Sequence, residues 1–229
     1  MKTIGIIGGM SAESTAVYYQ LINRETNRRL GLNHSAEILL YSIDFERIVR
    51  LQKAGGWTEA AGILAQAALK LQNAGSGAVV LATNTMHKVA DAIEAVLDVP
   101  FIHLIDVTAA ALKRQGVQKA ALLGTRFTMN DGFYAARMAQ SGIETLVPDE
   151  AAQQEIHRII FEELCLGIIR EEARDFYRRQ IDGLKQAGAE AVILGCTEIG
   201  LLITQADSTL PVFDSTGLHV QAAVDFALS

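Results

Sequence analysis

Short apolar runs alternate along this chain with longer stretches in which apolar residues return every three or four positions. The runs at 3–8, 37–43, 78–82, 101–103, 119–123, 144–147, 191–195 and 212–213 are too short for helices and rich in Val, Ile and Leu, so they predict strands. Helical periodicity fills 14–30, 58–74, 86–96, 107–115, 130–140, 151–166, 171–187 and 217–228. Strands that are apolar on both faces and separated by helices predict an α/β fold, with helices covering both sides of parallel sheets.

The pattern also repeats. Ile4-Gly5-Ile6-Ile7-Gly8 matches Ala120-Ala121-Leu122-Leu123-Gly124 at an offset of 116; Ala78 to Thr83 matches Ala191 to Cys196 at 113; and Val99-Pro100-Phe101-Ile102 matches Leu210-Pro211-Val212-Phe213 at 111. Three matches in order predict two pseudo-symmetric, flavodoxin-like parallel-sheet domains. The expected division is 1–115 with a returning 210–229 for the first and 116–209 for the second. Ligands of open parallel sheets bind beyond the carboxyl ends of the strands, in crevices between units. Thr83 and Cys196 occupy that place in equivalent strands, so a pseudo-two-fold relation would bring them to one cleft from opposite sides. The plainer reading is a Thr and a Cys that only end strands.

Composition narrows the possible partners. Half of the 229 residues are hydrophobic and 20% are charged, with 19 Gly and 3 Pro, which is enough apolar surface for a full core. Lys plus Arg number 20 against 26 Asp plus Glu, a net charge of −6, and no basic cluster follows a phosphate backbone, so nucleic acid is not an expected partner. No run reaches the ~20 apolar residues of a membrane helix. Cys165 and Cys196 are too few for a disulfide framework, and the opening residues lack a secretory pattern, so a soluble, cytoplasmic protein is expected.

Candidate chemistry lies at strand-to-helix junctions. Gly5-Ile6-Ile7-Gly8-Gly9-Met10-Ser11 is neither a dinucleotide fingerprint nor a P-loop; as a tight turn its amides could face an anion, preferably a carboxylate. Thr83-Asn84-Thr85-Met86-His87 opens a helix with polar residues that either cap it or bind a ligand. In Gly195-Cys196-Thr197-Glu198 a thiol stands at a helix start, where the dipole should favour the thiolate, whereas Cys165 reads as a structural cysteine of an amphipathic helix. The five histidines show no metal-ligand spacing, so no metal is expected, and no G-x-S-x-G elbow is present.

In order and over the whole chain, Gly8-Gly9-Met10-Ser11, Thr83-Asn84-Thr85-Met86-His87 and Gly195-Cys196-Thr197-Glu198 resemble the marks of the aspartate/glutamate racemase family. The resemblance implies an amino acid substrate, an active site between two α/β domains, no cofactor, and commonly a homodimer. It implies catalytic groups at Thr83 and Cys196 on opposite faces of the substrate α-carbon, and substrate contacts from Met10, Gln52, Asn84, Thr85, Thr128 and Thr197. The first catalytic Cys of the family is Thr83 here, and a hydroxyl cannot rest as a base at neutral pH, although it can donate a proton to a carbanion. Where aspartate racemases place a basic residue before a Gly, this chain has Leu166-Gly167; near the 44–52 helix the second expected cation could be Arg47 or Arg50, with Gln52 as the neutral alternative. The expected activity is therefore pyridoxal-independent racemisation of aspartate, glutamate or a broader set of amino acids. The rivals are a single-Cys isomerase or decarboxylase of small dicarboxylic acids and a non-catalytic small-acid binder.

Overall fold

The computed structural model describes residues 1–229, which form two compact units: Met1–Leu104 with His219–Ser229, and Ile105–Leu218. The first unit carries strands β1 (Ile4–Gly8), β2 (Ile38–Ser42), β3 (Ala78–Leu81) and β4 (Phe101–Ile102); the second carries β5 (Lys119–Gly124), β6 (Glu144–Leu146), β7 (Ala191–Gly195) and β8 (Val212–Asp214). The helices are α1 (Ala12–Leu30), α2 (Phe45–Ala54), α3 (Trp57–Asn73), α4 (Ala90–Glu94), α5 (Leu104–Arg114), α6 (Arg126–Asn130), α7 (Phe133–Gln140), α8 (Glu150–Glu162), α9 (Glu171–Gln186), α10 (Ile199–Leu202) and α11 (Ser215–Leu228).

Both sheets are parallel and share one topology, β2-β1-β3-β4 and β6-β5-β7-β8. The register reproduces the internal repeat. Ile4 faces Ala78 as Ala120 faces Ala191, and Val79 faces Phe101 as Val192 faces Val212. Strand alternation then splits the core of the first unit in two. Ile4, Ile6, Val80 and Ala82 pack against Tyr18 and Ile22 of α1 and Val220, Ala223, Val224 and Ala227 of α11. Ile7, Val79 and Leu81 pack on the other face against Ala60, Leu64, Ala67, Ala68 and Leu71 of α3. In the second unit Ala121, Leu123, Val192 and Leu194 meet Ile156, Ile159 and Ile160 of α8 and Tyr177 and Ile181 of α9.

The unit boundaries differ from those expected at 115/116 and 209/210. β8 is a member of the second sheet, and α5 is tied to α7 by paired Arg137–Asp106 hydrogen bonds of 2.7 and 2.6 Å and by a Thr108–Tyr134 bond. The chain therefore returns to the first unit only within α11, at His219.

Three expected helices are also shortened or divided. The 130–140 stretch breaks at Gly132, whose φ of 75° is left-handed, into α6 and α7. The 86–96 stretch begins as a 3₁₀ turn, Thr85–Val89, before α4. The 151–166 stretch ends at Glu162, so Cys165 lies in a 3₁₀ turn, Leu164–Leu166, closed by Gly167 at φ 72°, and not in an amphipathic helix.

Candidate functional site

In the first unit, β3 ends at Leu81 and, after Ala82, delivers Thr83 and Asn84 beyond its carboxyl end, and the 3₁₀ turn that follows carries Thr85, Met86 and His87. Asn84, Thr85, Met86 and His87 are buried. His87 fixes this turn. Its Nδ1–H donates to the Thr83 carbonyl at 2.7 Å, and its Nε2 accepts the Leu104 N–H at 3.2 Å, which defines the neutral tautomer. Gln52, near the end of α2, reaches the same turn, its Nε2 donating to Met86 Sδ at 3.1 Å. Met10 is buried in the core that also contains Met86. The structure thus gathers the expected residues of the first half, Met10, Gln52, Thr83, Asn84 and Thr85, around the carboxyl ends of β1 and β3.

Close approach at the end of β1 explains its glycines. A Cβ on Gly8 would stand 2.5 Å from Thr15 Cγ2, and one on Gly9, at φ 89°, would stand 2.2 Å from the Ile43 carbonyl oxygen. The expectation that the amides of this turn and of the helix start after it face an anion is corrected for four of them, two in the turn and two in α1. Gly9 N–H donates to Thr15 Oγ1 at 2.7 Å, Ser11 N–H to Ser14 Oγ at 3.0 Å, Ser14 N–H to Ser11 Oγ at 3.1 Å, and Thr15 N–H to the Ser11 carbonyl at 3.2 Å. A capping box has satisfied donors that the glycine pattern left open.

In the second unit the equivalent position, directly beyond β7, is Cys196. Thr128 lies over this strand end: a Cβ on Gly124 would be 3.1 Å from its Cγ2, and one on Gly195 would be 3.4 Å away. Thr125 caps α6, its Oγ1 accepting the Thr128 N–H at 3.3 Å, and so fixes the Thr128 backbone. Thr197 accepts a hydrogen bond from the Thr216 hydroxyl at 3.3 Å, while Ser215 holds the Leu194 carbonyl at 2.7 Å. Cys196, Thr128 and Thr197 are therefore brought to one strand end.

The electrostatics of Cys196 reverse the expectation of a dipole-stabilised thiolate. α10 has four residues and starts only at Ile199, so little dipole bears on the sulfur. The thiol is buried, and its Sγ–H donates to Glu198 Oε2 at 2.9 Å. Burial first and the Glu198 carboxylate second push the thiol well above its ordinary value, and a bond from the Glu198 backbone N–H opposes them. The free protein holds a protonated Cys196.

The cations considered for a substrate side chain face elsewhere. Arg47 lies 3.7 Å from Glu59 and Arg50 lies 2.9 Å from Glu46, both on exposed surface of the first unit, and Leu166 is exposed. Of the three candidates on α2, Gln52 alone is bonded to the 85–89 turn. Two contacts escaped the sequence reading, the His87 anchor on Thr83 and the Glu198 contact with Cys196. Both residues stood inside quoted motifs, but spacing does not reveal which atoms meet.

The model of the family described as Asp/Glu/hydantoin racemase matches residues 7–223. A candidate Asp/Glu racemase from Yersinia pestis shares 51% identity and superposes with a TM-score of 0.94, with all of both chains covered. An aspartate racemase homologue from Pyrococcus horikoshii shares 37% identity at a TM-score of 0.87, again over the whole of both chains. The broad specificity amino-acid racemase RacX of Bacillus subtilis is 21% identical over 99% of this chain and 98% of its own length. A full-length family match, together with a duplicated fold that carries the family's motifs at equivalent strand ends, makes this chain a member of the Asp/Glu/hydantoin racemase family.

Proposed function

We propose that this protein interconverts the L and D forms of aspartate or glutamate by moving the α-proton, with Cys196 and Thr83 as the two groups that exchange it. The activity class, amino-acid racemisation without pyridoxal phosphate, is that of the family. The observation that carries the assignment is positional: Thr83 and Cys196 stand at equivalent positions past the carboxyl ends of β3 and β7, which have the same place in two sheets of identical order and matching register. The acidic substrate class is supported by the Yersinia and Pyrococcus relatives; the Bacillus racemase, with its broad specificity, supports a wider set of amino acids as well.

In this reading Asn84, Thr85, Thr128 and Thr197 hold the α-carboxylate and amino groups, with Met10 and Gln52 beside them. Cys196, once deprotonated, takes the α-proton of the L enantiomer and leaves a carbanion. The Thr83 hydroxyl donates its proton to the other face and regains one from solvent, while the Cys196 thiol releases its own, so protons balance. No separate base need approach Thr83 from its own turn. The His87 Nδ1–H is committed to the Thr83 carbonyl, which fixes the backbone from which the hydroxyl projects.

The family resemblance further supports a homodimer, for which sedimentation is the test; a cytoplasmic location belongs to the same reading and is tested by fractionation. No helix is long and apolar enough to cross a membrane. The function is tested by incubating the purified protein with L-aspartate and L-glutamate and separating enantiomers by chiral chromatography. The D form should accumulate toward an equal mixture with native protein and not with Cys196→Ala. Consumption of substrate without D product would favour the decarboxylase or isomerase rivals, and binding without turnover the small-acid binder.

A further inference from the structure

We infer that Glu198 is a positioning residue that receives the Cys196 thiol proton and so decides when this sulfur becomes a base; the inference rests on the proposed function and deepens it. Its Oε2 lies 2.9 Å from Sγ, and both side chains are buried. Glu198 occupies the N-cap of α10 yet makes no side-chain cap bond, so helix capping does not account for its place. Asp149 and Thr125 show capping at equivalent strand-to-helix junctions of this unit, accepting from Ala152 and Thr128. Glu198 turns to the sulfur instead.

The charge balance makes the pair a switch. The thiol and carboxylate share one proton and carry one negative charge, on oxygen at rest and on sulfur after transfer. At rest the carboxylate charge suppresses the thiolate. Moving the proton from Sγ to Oε2 makes Sγ negative, makes Glu198 neutral, and removes that repulsion in the same step. The thiolate then takes the α-proton, and the carboxyl releases the first one to solvent as Thr83 regains its own, which restores the resting pair. A Glu198 backbone N–H on the sulfur stabilises the charge that appears there. The other titratable groups that face the sulfur are Tyr177 from α9 and Cys165 from the turn after α8. Neither is cationic; behind Tyr177, Glu155 and Glu163 of α8 and its cap act on its hydroxyl, and both are paired with Arg158, at 2.7 and 2.9 Å.

The test separates proton acceptance from shape. In Glu198→Gln, a near-isosteric change, the carboxylate repulsion is gone, so the midpoint of the pH–rate profile for iodoacetamide alkylation of Cys196, followed by peptide mass spectrometry, should fall. Racemisation should fall by about 100-fold or more in the same variant, because the amide cannot accept the proton. Glu198→Asp, which keeps the charge, should retain more turnover than Glu198→Gln and a midpoint nearer the native one. Turnover of Glu198→Gln within threefold of native, or an alkylation midpoint that does not fall, would overturn the inference. If Glu198→Gln does not fold, the Asp variant decides: turnover and midpoint both at native values support proton acceptance by a carboxylate, and loss of turnover at an unchanged midpoint overturns it. Failure of the proposed function is read separately, from Cys196→Ala retaining full racemisation.

Discussion

His219 should make this protein lose stability between pH 7.5 and pH 5, by an amount that the structure sets. Its ring is fully buried where α11 enters the first unit. Nδ1 accepts the Tyr18 hydroxyl at 2.9 Å and Nε2–H donates to the Ile102 carbonyl at 2.7 Å, so a second ring proton would have to displace Tyr18. Burial, the largest cause, and His103 lower its pKa from 6.5 to about 4, against the raising effect of the Ile102 carbonyl. A histidine depressed in the native state is uncharged in both states above pH 6.5. As the pH falls, the unfolded chain binds the proton first, and native stability drops until the pH passes the native value. At pH 5 the difference amounts to about 2 kcal/mol, approaching about 3.4 kcal/mol below pH 4. Urea unfolding of native protein and His219→Gln at both pH values measures it. The variant loses stability at every pH through its broken bonds, but its drop between pH 7.5 and 5 should be smaller by about 2 kcal/mol. An equal drop in both proteins would show that His219 is not the group that titrates.

Other outcomes follow from the same geometry. Thr83→Cys should raise racemisation by roughly 10- to 100-fold and let the D enantiomer exchange its α-proton as readily as the L, measured by proton NMR in deuterium oxide; no gain would count against Thr83 as the weak partner. Gln52→Ala should raise KM about tenfold, the worth of one hydrogen bond to a charged group, with a smaller change in kcat; steady-state kinetics that show only a kcat loss would place Gln52 in the proton transfer. Gly9→Ala should destabilise the first unit by about 2 kcal/mol or more, because a left-handed φ and the Ile43 backbone both oppose a Cβ, and thermal unfolding would show a lowered Tm.

The fold was legible because strand pairing in a doubly wound sheet leaves a clear mark: both-face burial writes unbroken apolar runs such as Ala78–Leu81 and Ala191–Gly195. The repeat offsets carried the register as well, since a one-residue slip would have moved Val79 and Val192 to opposite faces. Domain limits were less legible. α11 is one continuous helix whose first residues belong to one unit and the rest to the other, and periodicity does not mark the point at which a helix changes partners.

At the candidate site the motifs located Thr83 and Cys196, but not the state of the thiol. Helix-start reasoning assumes a helix of useful length, and the four residues of α10 do not supply one. What decides the proton is the 2.9 Å contact with Glu198, a matter of rotamer and burial that spacing cannot express. The same holds for the turn after β1 and the start of α1, where the Gly9, Ser11, Ser14 and Thr15 amides are all bonded locally.

In the proposed reaction Cys196 moves the α-proton of an amino acid. This role is tested most directly by following L-aspartate and L-glutamate in deuterium oxide by mass spectrometry after chiral separation. The L substrate should gain α-deuterium faster than it inverts, D product should carry deuterium, and Cys196→Ala should show neither. Equal wash-in from both enantiomers would contradict the asymmetric Thr83 and Cys196 pair, and α-deuterium that persists in Cys196→Ala would rule out Cys196 as the base.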